Sequence, residues 1–344
     1  WTKMSIESRI NVLRRRNLNA TFKLISAKED SEMSACGVVF PGQGSQVTGM
    51  GQDFFQSYAE SREIFARASE AIDIDMTRLC FSTNELLDRT EYTQPAILTA
   101  EMAMYAALRN HYSIDGAFFG GHSLGEYTAL VAADVLRFED ALKIVKKRGF
   151  LMQCAVREGR GAMAAIILED LAAVDFETAI AESGAEVANF NSKDQIVISG
   201  MTESVSEACE KLSSLYPEIR IVPLAVSAPF HSSHMRSIRR SFQKYLQPFQ
   251  RNIDRTNIHR VLSNYTGTFH SVLSLIPSLV KQVAAPVRWV ENMHAIAAEA
   301  DEIYEIGPQR VLSRFFSSIG IQVKAVTDGR SVERVFGGAH AHGI

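Results

Sequence analysis

The sequence predicts an α/β fold: a large domain with a parallel sheet, interrupted by a small inserted subdomain. Three observations carry that reading. Apolar strands alternate with helical patterns from Gly37 to Val156, the rhythm of a parallel sheet covered on both faces. One strand runs directly into Gly121-His122-Ser123-Leu124-Gly125 and then into a helical pattern, the strand–turn–helix context of a nucleophile elbow and of an α/β-hydrolase-like domain. From Gly161 the order becomes β-α-β-β-α-β, which is the ferredoxin-like pattern.

The elements follow in order. The strand Gly37-Val38-Val39-Phe40 leads at once into Pro41-Gly42-Gln43-Gly44-Ser45-Gln46, and a helix with Phe and Ala at three- and four-residue spacing covers Met50 to Ala68. Thr93-Gln94-Pro95 opens a helix over Ala96 to His111, with proline near its N-terminus. The elbow strand and its helix come next, then a helix from Phe138 to Val156 with Lys and Arg on its outer face. The inserted unit, residues 159-227, comprises the strand Gly161–Ile167, a helix Leu171–Glu182, the strands Val187–Asn191 and Gln195–Gly200, a helix Thr202–Leu215 and the strand Ile219–Leu224. From His231 helices return, followed by strands Val261–Asn264 and Ile303–Ile306. Residues 36-158 and 228-335 thus form the large domain. Residues 1-35, with Arg9, Arg14, Arg15, Arg16 and Lys23 and few acids, read as an amino-terminal extension or linker, with Met33 a plausible start.

Bulk composition narrows the function classes. The 344 residues are 46% hydrophobic and 22% charged, as in a soluble globular protein. A net charge of −3 argues against broad electrostatic attraction to nucleic acid. No apolar run approaches a membrane span. Cys36, Cys80, Cys154 and Cys209 lack C-x-x-C spacing and read as free thiols in a reducing, cytoplasmic compartment.

The elbow places Ser123 at a helix N-terminus, where free backbone N–H groups hold developing negative charge. A serine nucleophile needs a base. His122 adjoins it but points off the elbow, which makes it structural. His231 and His234, in Ser227-Ala228-Pro229-Phe230-His231-Ser232-Ser233-His234, lie where the inserted unit returns to the large domain, either as a catalytic group at a seam or as a capping cluster. No acid is placed to complete a triad, so a backbone carbonyl or an amide would orient the imidazole. The Gly42-Gln43-Gly44 turn after a strand offers a backbone N–H to pair with that of Leu124, two donors that make an oxyanion hole. Arg148, beside Gly149 and apolar neighbours, turns inward, unlike Lys143, Lys146 and Lys147. Its partner is either a structural carboxylate or a carboxylate on the substrate.

Together these residues resemble the malonyl-CoA:acyl carrier protein transacylases and the related acyltransferase domains of polyketide synthases. The shared runs are Phe40–Gln46, Tyr92–Ala96, Gly121–Tyr127, Arg148-Gly149, Asn189-Phe190-Asn191-Ser192, Pro229–Ser232, Pro286-Val287-Arg288-Trp289 and Glu305–Pro308, in the family's order. The resemblance implies Ser123 as nucleophile, His231 as general base and acid, and Gln43 and Leu124 as donors of the oxyanion-hole N–H groups. It implies Arg148 as partner of a malonyl carboxylate, with Gln94, Phe230 and Asn191 at the substrate. Gln282 matches the position whose backbone carbonyl orients the histidine. The implied substrates are malonyl-CoA and the phosphopantetheine arm of an acyl carrier protein, in fatty-acid or polyketide synthesis, with no metal or redox cofactor. Phe230 before His231 implies malonyl over methylmalonyl. Lys143, Lys146, Lys147, Arg236, Arg239 and Arg240 are candidate contacts for an acidic carrier protein. The rival readings are a thioester hydrolase using the same serine and histidine, and a non-catalytic module that keeps the fold.

Overall fold

The computed structural model describes residues 34–337 except 172, 173 and 227. The proposed extension therefore lies almost wholly outside the described residues. The strands are β1 (Cys36–Phe40), β2 (Phe118–Gly121), β3 (Gly161–Ile167), β4 (Glu186–Ser192), β5 (Gln195–Met201), β6 (Arg220–Pro223), β7 (Val287–Arg288), β8 (Glu302–Ile306) and β9 (Lys324–Val326). They form two sheets.

The larger unit is built on a parallel sheet in the order β2-β1-β8-β9. Its central strand is apolar without interruption because both faces are covered. Successive side chains of β1 serve opposite faces: Val38 and Phe40 pack with the helix Thr90–Tyr112, and Val39 packs with Trp289, Met293 and Phe316. On the first face the Tyr105 ring stands edge-on to Phe40 and Phe119, with centroids 5.9 and 6.1 Å apart.

The inserted unit is a second sheet in which β6-β3-β5-β4 are antiparallel neighbours. Ile166, Ile196 and Ile198 form its own core with Phe176, Ile180, Val205 and Leu212 from the helices Phe176–Glu182 and Thr202–Leu215. The sheet does not end with the inserted segment. β7, far along the chain, adds to it in parallel with β4 through Asn189↔Val287 and Phe190↔Arg288. The run Pro286–Trp289 is thus a stitch between the two units.

Four expectations from sequence shift. The helix expected over Met50 to Ala68 is two helices, Gln52–Ser57 and Ala59–Ile72, parted at Tyr58, whose backbone is extended. The next helix starts at Thr90 rather than after Pro95, because the Tyr92 and Thr93 N–H groups close on Arg89 O ahead of the proline. The helix expected from Leu171 begins at Phe176, where Asp175 caps the Thr178 N–H. The strand expected at Val261–Asn264 is reduced to single bridges, Val261 to Phe119 and Leu262 to Phe269. There the Asn264 N–H leaves the ladder for the Glu126 carboxylate. Among the described residues no helix is long and apolar enough to cross a membrane.

Candidate active site

The elbow is shaped by close approach. A Cβ on Gly121 would lie 2.0 Å from the Gly125 carbonyl, and one on Gly125 would lie 2.2 Å from Phe40 O, so only glycine lets the strand, turn and helix pack this tightly. Between them Ser123 holds φ at 52°, a left-handed conformation that a non-glycine residue keeps only when its surroundings enforce it. Enforcement comes from two side chains. Asn264 Oδ1 accepts the Ser123 N–H at 2.6 Å, and Gln282 Nε2 donates to Ser123 O at 3.0 Å.

Of the two candidate histidines the structure brings His231 to the serine. The Ser123 hydroxyl lies 2.7 Å from His231 Nε2, and His231 Nδ1 lies 2.9 Å from Gln282 O. A carbonyl only accepts, so Nδ1 carries the proton and Nε2 is left to accept from the serine. His231 is itself left-handed (φ 59°), and its loop is tied to the inserted unit. Ser233 donates from both its N–H and its Oγ to the Glu186 carboxylate at the start of β4. Burial, and after it the Arg148 cation, pull the His231 pKa down to about 3, against the hydrogen bond to Gln282 O. The imidazole is therefore neutral near pH 7. His234 lies half-buried in the helical turn Ser233–Ile238.

Arg148 is 1% exposed, and no carboxylate of the described residues lies within ion-pair distance of it. Its Nη1 donates to Gln94 Oε1 at 3.0 Å, its Nη2 to Gln282 Oε1 at 2.9 Å and to Ser123 Oγ at 3.0 Å, and its guanidinium sits 5.3 Å from the centre of the Tyr127 ring. The structural-carboxylate alternative thus finds no direct ion pair here: Glu126 acts on the cation only from beyond Gln282. A buried cation held by neutral groups is an arrangement that a carboxylate-bearing ligand completes.

The Gln43 turn lies against the elbow: a Cβ on Gly42 would come within 2.3 Å of His122 O. Leu124 occupies the cap position of the helix Gly125–Ala132. Gln43 spends its side chain on Thr90 Oγ1 at 3.1 Å. Phe230, 6% exposed, belongs to the main core and directly precedes the histidine.

Asn191, expected at the substrate, hydrogen-bonds to neighbouring side chains. Its Oδ1 meets His122 Nε2 at 2.8 Å and its Nδ2 donates to Gln195 Oε1 at 2.8 Å, so both polar ends are occupied by protein. His122 lies on that side of the elbow, 5.7 Å from the Trp289 ring centre, and burial lowers its pKa to about 4. Lys146 and Lys147 are drawn onto the surface, one donating to Ile72 O and the other over the Phe150 ring, while Arg236 and Arg240 are exposed.

Sequence reasoning passed over the floor of the site: the side chain of Gln282, with Asn264, Glu126 and His270. Glu126 stood within the quoted run Gly121–Tyr127. Asn264 and His270 carried no local signal, since they reach the elbow only through the fold.

A neutral imidazole on a strained serine, beside a buried cation, is a site for acyl transfer. Residues 38–312 match the acyl transferase domain family. The chain belongs to that family. The malonyl CoA-acyl carrier protein transacylase of Staphylococcus aureus (strain MSSA476) is 39% identical over 310 residues, 89% of this chain and 98% of that protein. The enzyme of the same name from Bacillus subtilis is 37% identical over 305 residues, 87% of this chain and 75% of that protein. Among solved structures, the malonyl CoA-acyl carrier protein transacylase of Clostridium perfringens superposes with a TM-score of 0.81 at 38% identity, covering 89% of this chain and 97% of that one. A malonyl-transacylase in complex with its type II polyketide-synthase acyl-carrier protein superposes with a TM-score of 0.82 at 33% identity, covering 88% of this acyl transferase chain and 100% of that one.

Proposed function

We propose that this chain transfers a malonyl group from malonyl-CoA to the phosphopantetheine thiol of an acyl carrier protein, through an ester on Ser123. The observation that carries the reading is Arg148, a buried cation without a carboxylate partner whose Nη2 reaches the Ser123 hydroxyl.

Ser123 Oγ passes its proton to His231 Nε2 and attacks the thioester carbonyl, and the oxyanion is held by the N–H groups of Gln43 and Leu124. Each such donor contributes about 3 kcal/mol of transition-state stabilisation. Collapse expels the CoA sulfur, which takes the proton from His231. In the second half the carrier-protein thiol gives its proton to His231 and attacks the malonyl ester. The serine oxygen leaves and recovers that proton, so kinetics are ping-pong. All acyl and proton moves use these residues and the two substrates, and the reading includes no metal or redox cofactor.

Arg148 pairs with the malonyl carboxylate, Gln94 keeps the guanidinium in place, and Phe230 crowds an α-branch and so favours malonyl over methylmalonyl. The relatives' shared name and Arg148 both weigh against the hydrolase, because a hydrolase of neutral acyl chains gains nothing from a buried cation. Cys36, Cys80, Cys154 and Cys209 are all free thiols, which supports a reducing, cytoplasmic setting.

The test is intact-protein mass after mixing with malonyl-CoA, methylmalonyl-CoA or acetyl-CoA, followed by a chase with holo carrier protein. The reading expects a malonyl adduct that is absent from Ser123→Ala and moves onto the carrier. An adduct lost to water at one rate with or without carrier would replace the transferase with the hydrolase.

A further inference from the structure

Beneath the catalytic residues lies a closed polar floor centred on Glu126, the third residue after the nucleophile. Its side chain and that of His270 are both 0% exposed. Three donors converge on this carboxylate. His270 Nε2 meets Oε1 at 2.8 Å, while Gln282 Nε2 at 2.7 Å and the Asn264 N–H at 2.9 Å share Oε2. Facing Glu126 are the His270 imidazole directly and the Arg148 guanidinium across Gln282.

The two residues that Glu126 holds are the two that hold the site. Gln282 touches three catalytic groups at once: its backbone O accepts from His231 Nδ1, its Oε1 accepts from Arg148 Nη2, and its Nε2 donates to Ser123 O. Asn264 accepts the Ser123 N–H and donates from Nδ2 to Gly121 O and to Asn292 Oδ1, both at 2.8 Å. The charges also decide which way the Gln282 amide faces. With a carboxylate at its nitrogen end and a guanidinium at its oxygen end, only one of its two orientations is satisfied. His270 occupies Oε1 and leaves Oε2 to Gln282 and Asn264.

We propose that Glu126 and His270 are a positioning pair for the acyl transfer: acting through Gln282 and Asn264, they set the serine, its base and the carboxylate-binding arginine in register. The pair touches none of the reacting atoms. It rests on the malonyl-transfer reading, because one of the three groups it aligns is Arg148. Its distinguishing consequence is that disturbing it degrades selectivity as well as rate. A misplacement of about 1 Å at a reacting group costs on the order of 100-fold in rate. Freeing Arg148 from Gln282 also weakens the preference for an acyl group that carries a carboxylate.

The experiment compares wild type, Glu126→Gln, His270→Leu and His270→Gln in single-turnover acylation with malonyl-CoA and acetyl-CoA, with Tm measured for each. His270→Leu leaves the carboxylate in place and covers the case in which Glu126→Gln fails to fold. The expected result for folded Glu126→Gln and His270→Leu is malonyl acylation slower by roughly 100-fold and a malonyl-to-acetyl rate ratio lower by roughly 10-fold. The loss should fall mainly on the rate constant rather than on the half-saturating concentration. His270→Gln, which keeps an N–H for Oε1, should recover most of both. Folded variants with wild-type rate and ratio overturn the proposal, as does a loss that follows Tm alone with the ratio unchanged and no rescue by His270→Gln. The two readings separate in the wild type. If wild type takes no malonyl, the malonyl-transfer reading fails; if it does and the variants match it, only the positioning pair fails.

Discussion

Arg148 Nη2 donates to Ser123 Oγ at 3.0 Å, and His231 Nε2 lies 2.7 Å from the same oxygen. One oxygen is thus shared between a base that will take its proton and a cation that favours its anion. The cation has only neutral acceptors otherwise, Gln94 Oε1 and Gln282 Oε1.

That sharing makes Arg148 a discriminating residue. Arg148→Ala removes the carboxylate partner and is expected to slow malonyl loading of Ser123 by 100-fold or more, at the order of about 3 kcal/mol for a charge-assisted bidentate pair. Acetyl loading should change by less than about 10-fold, because acetyl has no carboxylate to lose. Arg148→Lys keeps the charge but not the fork, and should recover only part of the malonyl rate. Parallel rates of acylation by malonyl-CoA and acetyl-CoA settle the point, and an equal loss for both would remove the clamp.

The low pKa of His231 predicts an acid limb displaced from the usual histidine range. Acylation needs neutral His231, whose pKa lies at about 3, below the ordinary 6.5, by burial and by the Arg148 cation. The acylation rate should therefore stay flat from pH 7 to below pH 5. Stability behaves differently. Where a histidine's folded pKa lies below its unfolded value, the unfolded chain binds the extra proton, so stability is intact above the unfolded pKa and is lost as pH falls below it. His231 and His122, the latter at about 4, both act in this sense between pH 6.5 and 4. Denaturant melts of wild type and His231→Gln across that window should show the variant losing less stability on acidification. Equal slopes would mean that His231 titrates normally.

How far the sequence carried this description depended on whether a residue's role was local. The elbow, the Gln43 turn and the β-α-β-β-α-β order are written in contiguous residues whose spacing dictates the backbone, and they stand where expected. Gln282 was placed correctly by its backbone, yet its side chain, which joins Arg148, Ser123 and Glu126, was invisible because its partners lie more than a hundred residues away. The partners of Asn191 were invisible for a related reason. The run Asn189–Ser192 signals proximity to the site but not which groups its amides meet, and β4 brings Asn191 onto His122. The β7–β4 pairing had no sequence signal either, since two residues make no period.

The Glu186 carboxylate receives the Ser233 N–H at 3.0 Å and the Ser233 hydroxyl, so a strand of the inserted unit fixes the loop that carries His231. Glu186→Ala leaves that N–H without its charged partner, at a cost of about 1–3 kcal/mol, and frees a histidine held at φ 59°. The rate of acylation is expected to fall by roughly 10-fold or more with little change in the malonyl-to-acetyl ratio, because Arg148 is not attached to this loop. A ratio that fell along with the rate would show that the loop and the cation move together.

Glu101 lies fully buried on the helix Thr90–Tyr112, with Oε2 accepting from Thr128 Oγ1 and Oε1 without a partner. Burial drives its pKa well above the ordinary carboxylate value, and the nearby Glu305 carboxylate pushes the same way. Burial raises Glu305 as well, but Glu305 receives the N–H groups of Val311, Leu312 and Ser313 at the start of a helix, which oppose that shift, while Glu101 accepts only from Thr128. Glu101 is therefore the member of the pair that keeps its proton. A carboxyl whose folded pKa is raised binds a proton that the unfolded chain releases above about pH 4.5, so its contribution to stability is present at low pH and is lost as pH rises. Glu101→Gln supplies a neutral group of the same shape and no longer has a proton to lose. The variant should melt higher than wild type by roughly 2 °C or more at pH 8, with the gap closing towards pH 4. A gap that widened on acidification would show instead that Glu101 is ionised in the folded protein and that its charge is used.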